Sequence, residues 1–213
     1  MSTKKDMNKF EIDKYLHEFA SILAKKTNRK IHCELIIVGG ASILLNYNFR
    51  DTTTDIDCFE RSGLLMNEVI NEIANRNNLN FDWINTSFVQ SPSFSHKIIQ
   101  YSQYYKSYCY GTLEVRTIVD EYLIAMKLVS FRNYKYDLSD ILGIVTECHK
   151  KGKELTISLI EKAVFDLYGN NVTITDDAWD YLRKVLINEI SDRDEVRILE
   201  EKNRSLSKYI HKK

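Results

Sequence analysis

The sequence predicts an α+β fold, in which a mixed β-sheet flanked by helices is followed by a purely helical part. Short apolar segments rich in β-branched residues lie between residues 33 and 119, and helical periodicity dominates from residue 120 onward. The chain has only 1 Pro and 7 Gly, which argues against a loop-rich β-sandwich. We therefore expect an α/β core over residues 1–119 and a helical domain over residues 120–213.

The N-terminal half begins with a predicted amphipathic helix over residues 9–26, where apolar residues recur at helical spacing. Residues 33–38 are predicted to form a buried strand, because most of them are apolar and three are β-branched. Gly39-Gly40 ends this strand. Further strands and helices are predicted along the rest of this half, although residues 87–107 have no assignable pattern. The predicted elements after the first helix are strand 33–38, helix 41–47, strand 55–60, helix 64–77, strand 79–85 and strand 113–119.

The C-terminal half has amphipathic periodicity almost throughout. Gly169 is typical of a helix C-terminus, and Thr175-Asp176-Asp177 is typical of an N-cap. The charged tail from residue 193 is predicted to be a solvated helix or an arm that binds a partner. The predicted helices cover residues 121–131, 138–150, 158–168, 178–190 and 193–213.

Composition limits the possible functions. Because 30 acidic residues balance 30 basic ones, a nucleic-acid partner would have to bind a local patch rather than a global field. The N-terminus has no apolar signal segment, and the longest apolar stretch is too short to span a bilayer. We expect a cytoplasmic protein without membrane association, whose four cysteines are small buried apolar residues.

Two carboxylates form the first candidate site. In Asp55-Ile56-Asp57 the acids lie two residues apart on a predicted strand, so they point to one face, about 7 Å apart along the backbone. Converging carboxylates repel each other unless a cation joins them. Mg²⁺, or Mn²⁺ in its place, fits because it is usually held by one or two carboxylates together with phosphate oxygens.

The Gly39-Gly40 turn forms the other half of this site. Glycines after a buried strand let backbone N–H groups approach a phosphate, and the next helix directs its positive end to the same place. Ser42, Arg50 and Thr53 add hydroxyls and a cation. A glycosyltransferase-type Asp-x-Asp would leave the Gly-Gly turn unexplained, and no P-loop or dinucleotide-binding motif occurs. This combination favours a site for a nucleoside triphosphate.

A second group of candidates lies in the helical half. Lys127 is the single charge between Tyr122 and Phe131, so its ammonium either extends to solvent or binds an anion such as triphosphate. Arg132, at the end of the same helix, is a further candidate phosphate ligand. Asp137 and Asp140 have the positions of an N-cap and a first-turn acid, which leaves capping and a functional role both open.

These residues resemble the nucleotidyltransferase superfamily. The run GGASILL…R-x-x-T-x-DID resembles its first motif, and K-x₄-R…D-x-x-D resembles the second half of the AbiEii-like toxin nucleotidyltransferases. The FDWIN segment at residues 81–85 is also similar to their relatives. The resemblance implies a nucleotidyltransferase-like core whose helical domain completes the active-site cleft.

The resemblance also implies roles for individual residues. Asp55 and Asp57 would bind Mg²⁺ together with a third carboxylate, for which Glu114 and Asp82 compete. Asp137 or Asp140 would assist with the metal or with the acceptor. Residues implicated in binding the triphosphate are Gly39, Gly40, Ser42, Arg50, Thr53, Lys127 and Arg132.

Two functions follow from these observations. The first is a Mg²⁺-dependent enzyme that transfers a nucleoside monophosphate from an NTP to a hydroxyl or a nucleic-acid end. By analogy with the toxins, its acceptor would be a tRNA end, a protein side chain or a small molecule, and a cognate antitoxin would bind it. The second is a nucleotide-binding interaction protein with little turnover. The position of the third carboxylate discriminates between them.

Overall fold

A computed structural model describes residues 5–60 and 66–210 of the chain. The chain forms two compact units. The first contains the residues up to Ser91 together with Ile99–Val119, and the second contains Pro92–Ile98 together with the residues from Asp120 onward. The second unit is therefore not one continuous stretch, since a short segment from the N-terminal half belongs to it.

A five-stranded mixed sheet forms the centre of the first unit. Its strands are β1 (Cys33–Ile37), β2 (Ile56–Glu60), β3 (Ile84–Asn85), β4 (Ser102–Tyr108) and β5 (Leu113–Ile118). They lie in the order β3-β2-β1-β5-β4. The central strand β1 is antiparallel to β2 and parallel to β5, while β3 is parallel to β2 and β4 is antiparallel to β5. The sheet with its flanking helices confirms the predicted α+β fold.

The α-helices in the described part of the first unit are α1 (Lys9–Thr27), α2 (Gly39–Asn46) and α3 (Met66–Asn77), and a short 3-10 helix covers Ser87–Gln90. Helix α1 begins with a capping box, because Asn8 and Glu11 each accept a backbone N–H of the other. Apolar residues of α1 and α3 pack against alternate positions of the sheet, such as Leu35, Ile37 and Cys58. The remaining alternate positions of β1, β2 and β5 point to the opposite face of the sheet.

Five helices form most of the second unit. They are α4 (Asp120–Ser130), α5 (Asp137–Lys150), α6 (Ile157–Tyr168), α7 (Asp176–Leu186) and α8 (Arg193–Ile210). Helix α4 packs against α5 and α6, and α5 packs against α7 and α8. As predicted, the Thr175 hydroxyl caps α7 by accepting the N–H of Ala178.

Hydrogen bonds join the segment Pro92–Ile98 to the end of α6. The Tyr168 hydroxyl donates to the carbonyl of Ser93 at 2.7 Å, and the Ser95 hydroxyl donates to the carbonyl of Leu167 at 2.6 Å. These bonds join residues more than seventy positions apart in sequence. The segment is therefore an integral part of the second unit.

The structure differs from the predicted elements in four places. Helix α7 ends at Leu186 rather than at residue 190. The strand predicted over 79–85 is reduced to Ile84–Asn85, and β4 forms where no pattern was assignable. Helix α2 begins at Gly39 itself rather than after the Gly-Gly pair. The predicted start of the third helix, at residues 64 and 65, lies outside the described residues. No helix within residues 5–60 and 66–210 combines the length and apolar character needed to cross a membrane.

Candidate active site

The two acids of the Asp-x-Asp motif lie at the beginning of β2. Ile56 and Cys58 are completely buried, whereas Asp55 and Asp57 on either side of Ile56 are half-buried. This alternation directs the carboxylates away from the apolar core and towards the other face of the sheet. Burial and the neighbouring charge of Asp57 raise the pKa of the Cys58 thiol, so Cys58 is a buried thiol rather than a reactive one.

The carboxylate of Asp57 faces the start of α2. A Cβ atom on Gly39 would lie 3.6 Å from Asp57 Oδ2. Gly39 has φ +59°, in the left-handed region that glycine adopts without a steric penalty. The backbone N–H of Val38 also donates to the Asp57 carbonyl at 2.9 Å. A backbone hydrogen bond thus connects Asp57 to the residue that immediately precedes the glycine turn.

The first turn of α2 has the form of an anion-binding site. The residue before the helix is Val38, whose side chain has no atom that could accept a hydrogen bond. The first N–H groups of a helix have no intrahelical carbonyl partner, and they form the positive end of the helix dipole. At Gly39, the N–H groups at the start of α2 therefore lie close to the carboxylate of Asp57.

Arg50 lies over the second glycine of the turn. A Cβ atom on Gly40 would lie 2.7 Å from one terminal nitrogen of the Arg50 guanidinium and 2.8 Å from its Cζ. Arg50 Nε donates to the carbonyl of Thr52 at 3.2 Å. The two glycines therefore differ in what they provide: Gly39 permits the backbone conformation, and Gly40 leaves room for a guanidinium.

The hydroxyls of Thr53 and Ser42 have intramolecular partners. Thr53 Oγ1 donates to the backbone carbonyl of Asp55 at 3.1 Å, and the backbone of Thr53 forms an antiparallel bridge with Met7. Ser42 is completely buried, and its Oγ accepts the N–H of Ile118 at 3.4 Å. Both hydroxyls therefore stabilise the backbone around the acid pair and the glycine turn through hydrogen bonds.

The register of the sheet separates Glu114 from the acid pair. Glu114 lies opposite Glu34 of β1, whereas Asp57 lies beside Val38, which follows β1 four residues after Glu34 and is thus about 13 Å away. Glu114 instead pairs with Arg116 at 3.3 Å. The structure therefore does not bring Glu114 to the position of a third metal ligand.

Asn85 occupies the place beside Asp57 on the other neighbouring strand. In the parallel pairing of β2 with β3, Asp57 and Asn85 are direct partners, so their side chains share a face. Asp82, the other candidate third acid, is exposed in the turn before β3. Over the described part of the chain, no group of three His, Cys, Asp or Glu side chains is placed to hold a metal ion.

The structure brings the four predicted residues of the helical half together in the second unit. Lys127 is only 8% exposed, and its ammonium donates to Asp137 Oδ1 and to Asp140 Oδ2, each at 2.8 Å. Arg132 donates to Asp137 from its backbone N–H at 3.1 Å and from Nε at 2.9 Å. Both acids are fully buried. We call Lys127, Arg132, Asp137 and Asp140 the ion-pair cluster.

Electrostatics stabilises the ionised form of Asp137 within this cluster. Burial alone would raise its pKa, but the charge of Lys127 and the hydrogen bonds from Arg132 outweigh burial and lower the pKa to about 2. Asp137 does not act as the N-cap that its sequence position indicated, since α5 begins at Asp137 itself and Tyr136 precedes it. The carboxylate turns instead towards the two cations.

Glu200 of α8 provides the cap that Asp137 does not. Its carboxylate accepts the backbone N–H of Leu138 at 2.8 Å and the hydroxyl of Ser139 at 2.6 Å. Glu200 is 2% exposed, and burial raises its pKa to about 7 despite these hydrogen bonds, while the charge of Asp140 acts in the same direction as burial. A residue more than sixty positions later in the chain thus binds the start of α5.

Comparison with known proteins identifies the family. Residues 14–178 match DUF6036, described as a nucleotidyltransferase of unknown function. The match covers more than half of the 213 residues and includes the acid pair, the glycine turn and the ion-pair cluster. The chain belongs to this nucleotidyltransferase family. No curated protein and no solved structure matches the chain significantly.

Membership of this family confirms the predicted relationship to the nucleotidyltransferase superfamily. Two residues at these sites were not predicted from the sequence. Asn85 ends the FDWIN segment, but its position beside Asp57 depends on strand pairing, which no local pattern specifies. Glu200 lies on α8, which packs against α5, but the apolar residues Ile198 and Leu199 of the same helix are exposed, so hydrophobic periodicity gave no signal for the burial of Glu200.

Proposed function

We propose that this nucleotidyltransferase transfers a nucleoside monophosphate from an NTP to a hydroxyl group, with Mg²⁺ or Mn²⁺ held by Asp55 and Asp57. One observation carries the proposal. The Asp57 carboxylate and the Arg50 guanidinium approach two consecutive glycines, Gly39 and Gly40, at the first turn of α2. The Asp57 carboxylate for a cation, backbone N–H groups for a phosphate and the Arg50 guanidinium thus meet at a single turn.

The residues present suit a magnesium ion. Carboxylate oxygens are hard ligands, and Mg²⁺ in phosphate-binding sites is held by one or two carboxylates while phosphate oxygens and water complete its shell. Because Gly39 has no Cβ, its side chain does not crowd Asp57 Oδ2, which leaves more room for a metal ion on this carboxylate beside the first turn of α2. Bound Mg²⁺ would neutralise the charge that develops on the α-phosphate and on the leaving pyrophosphate.

The chain's own groups would orient the triphosphate. The N–H groups at the start of α2 donate to phosphate oxygens, and Arg50 presents a fork of donors that matches their geometry. The acceptor oxygen then forms a bond to the α-phosphorus as the bond to the bridging oxygen of the β-phosphate breaks. Pyrophosphate leaves, and the hydroxyl proton passes to solvent.

The acceptor and the cellular role are proposed from the resemblance to AbiEii-like toxins. A tRNA end or a protein side chain would supply the hydroxyl, and the protein would be the cytoplasmic toxin of a toxin–antitoxin pair. A cognate antitoxin would then bind it. Whichever acceptor is used, the proposed reaction requires the Asp55–Asp57 pair.

The test uses the position of the label in the NTP. The protein is incubated with Mg²⁺, total RNA and a protein extract, and with each NTP labelled either at the α- or at the γ-phosphate. Nucleotidyl transfer moves the α-label to the acceptor and releases the γ-label as pyrophosphate. The Asp55→Asn, Asp57→Asn double variant should transfer nothing, whereas Asp51→Asn, in the same loop, should behave as wild type. Transfer of the γ-label would contradict the proposal.

A second candidate function is nucleotide binding without useful turnover. The observation that favours it is Asn85, an amide in the place beside Asp57 where a third carboxylate would be adjacent to the pair. Calorimetric titration with NTP and Mg²⁺ distinguishes the two functions. Binding that depends on Asp55 and Asp57, without transfer of the α-label to any acceptor, would support the binding protein.

A further inference from the structure

We propose that the first unit carries a binding site for single-stranded nucleic acid at the end of the sheet remote from Asp55 and Asp57. The site is a cavity of about 400 Å³ between the end of α1 and the turn that joins β4 to β5. Side chains that line it include Ser21, Lys25, Asn28, Arg29, Cys109 and Tyr110. We call it the Arg29–Tyr110 pocket.

One wall of this pocket is the end of α1 with the turn that follows it, and the other wall is the β4–β5 turn. Asn28 and Arg29 have φ values of 50° and 58° after the end of α1, and Cys109 and Tyr110 have values of 50° and 56° in the β4–β5 turn. The Ser21 hydroxyl and the Cys109 thiol lie 3.2 Å apart in a hydrogen bond between the two walls. A ring nitrogen of His32 contacts the carbonyl of Gly111 and adds a second connection.

The pocket lies beside a concentration of positive charge. Residues 25–32, KKTNRKIH, hold two further lysines and a histidine besides Lys25 and Arg29, and no acid. Lys26 pairs with Glu68 and Glu72. Among the residues that the structure describes, Lys25, Arg29 and Lys30 pair with no carboxylate. Because the whole chain is neutral, three exposed cations without counter-charges form the kind of local patch that an anionic chain requires.

An exposed aromatic ring indicates which anion fits. Tyr110 is 95% exposed, and the Arg29 guanidinium lies 5.4 Å from its ring centroid. Aromatic rings next to cations bind single-stranded nucleic acids, because unpaired bases stack on the ring while the cations contact the backbone phosphates. A duplex keeps its bases stacked on one another and does not offer them to such a ring.

The Arg29–Tyr110 pocket is distinct from the acid pair. The N–H of Cys33, at the start of β1, donates to Thr112 beside the pocket, whereas Val38, just after β1, lies beside Asp57. Five strand residues separate the two ends, a distance of about 17 Å. The inference therefore does not depend on the proposed transferase activity.

Fluorescence anisotropy tests the pocket with labelled single strands of RNA and DNA of about 12 nucleotides, within the usual site sizes. Tyr110→Asn, chosen because Asn tolerates a left-handed backbone, should weaken binding on the order of tenfold. Replacing Lys25, Arg29 and Lys30 with Gln should reduce the slope of log K against log salt by about 2, since each phosphate contact with a single strand contributes about 0.7.

Matched variants separate this site from others. Tyr104→Ala, at another exposed tyrosine, and Lys202→Gln, at another exposed lysine, should bind as wild type. The Asp55→Asn, Asp57→Asn variant should also bind the strand normally, which separates the pocket from the transferase site. Unchanged affinity and salt slope in the pocket variants would overturn the proposal. So would a duplex or anionic phospholipid vesicles binding more tightly than the single strand.

Discussion

The guanidinium of Arg50 occupies the space that a side chain at position 40 would fill, with a terminal nitrogen 2.7 Å from the position of a Cβ on Gly40. The atom in conflict is the far end of a flexible side chain. A larger residue at position 40 would therefore displace Arg50 rather than the backbone of α2. The choice of glycine at this position is tied to the placement of a cation at the first turn.

Gly40→Ala tests this relationship. Alanine favours a helix by about 1 kcal/mol over glycine, so the melting temperature should stay constant or rise. If Arg50 binds phosphate, NTP affinity should fall on the order of tenfold, as in Arg50→Ala, because a charge-assisted hydrogen bond is lost. The double variant should bind no more weakly than either single variant. By contrast, Gly39→Ala should cost about 1–2 kcal/mol of stability, since its φ is left-handed.

A second prediction concerns the metal at Asp55 and Asp57. Mg²⁺ or Mn²⁺ together with an NTP should raise the melting temperature of the wild type, because a ligand that binds the folded state alone stabilises it. Asp55→Asn with Asp57→Asn should abolish this rise without loss of the fold. Differential scanning fluorimetry measures both effects, with Asp51→Asn as the control. An equal rise in the double variant would rule out these acids as the metal ligands.

Asn85→Asp should strengthen metal binding. The change places a third carboxylate directly beside Asp57. One of its oxygens still accepts the N–H of Ser87, while the hydrogen bond that Asn85 Nδ2 donates to the Asp82 carbonyl is lost. We expect the dissociation constant for Mn²⁺ to fall on the order of tenfold, about 1.4 kcal/mol. Electron paramagnetic resonance of free Mn²⁺ measures it. Asn80→Asp, in the preceding turn, is the control, and the same gain there would mean a nonspecific charge effect.

Lys127→Met should lower the free energy of unfolding of the second unit. Asp137 and Asp140 are buried and share the Lys127 ammonium, so Lys127→Met removes a cation that both carboxylates contact, at a cost of about 3–5 kcal/mol, although Arg132 still pairs with Asp137. Urea denaturation measures the loss. Adding Asp137→Asn and Asp140→Asn to Lys127→Met should recover part of it. A loss below about 1 kcal/mol, the usual value for an exposed pair, would contradict the buried geometry.

Glu200 should make stability depend on pH near neutrality. Its pKa is about 7 in the folded chain and 4.5 in its reference state, so folding favours the protonated form. This preference adds about 3 kcal/mol to the free energy of unfolding below pH about 4.5. The contribution is lost as the pH rises through 7. The lowered pKa of Asp137 acts only below pH about 4 and leaves this range unaffected.

Glu200→Gln should remove this pH dependence. The Gln oxygen still accepts the N–H of Leu138, and its amide group donates to the Ser139 hydroxyl. Chemical denaturation at pH 5, 6, 7 and 8 should therefore give a stability of Glu200→Gln that is nearly constant over this range. Glu201→Gln, at an exposed neighbour, should keep the wild-type slope. A wild-type slope in Glu200→Gln would show that another group titrates.

Local patterns predicted those elements whose apolar residues have a clear period. The bounds of α1, β1 and β5 agree with prediction to within a residue or two, because each buries one face or both. Strand β4 was not predicted, since it lies at the edge of the sheet and most of its residues are polar and exposed. The period of two that marks a half-buried strand is therefore missing there.

The site could be predicted only as far as it is local in sequence. The strand, turn, helix and loop that lead to Asp55 and Asp57 form one continuous stretch, so their meeting could be anticipated. The place of Glu114 depended on register, and the partners of Asp137 depended on helix packing. Asp137 has the sequence position of an N-cap, but the buried Lys127 ammonium and the partly exposed Arg132 guanidinium attract its carboxylate more strongly than backbone N–H groups do.

The hydrogen bonds between Pro92–Ile98 and the end of α6 have a consequence for synthesis of the chain. The partners of Ser93 and Ser95 leave the ribosome more than seventy residues after them. The strands on both sides of the segment can pair as soon as β5 has emerged, which leaves the segment as a loop without its partners until α6 is made. We expect a fragment that ends at Val119 to retain the sheet and to be cleaved by proteases within residues 92–98, a site that the complete chain protects.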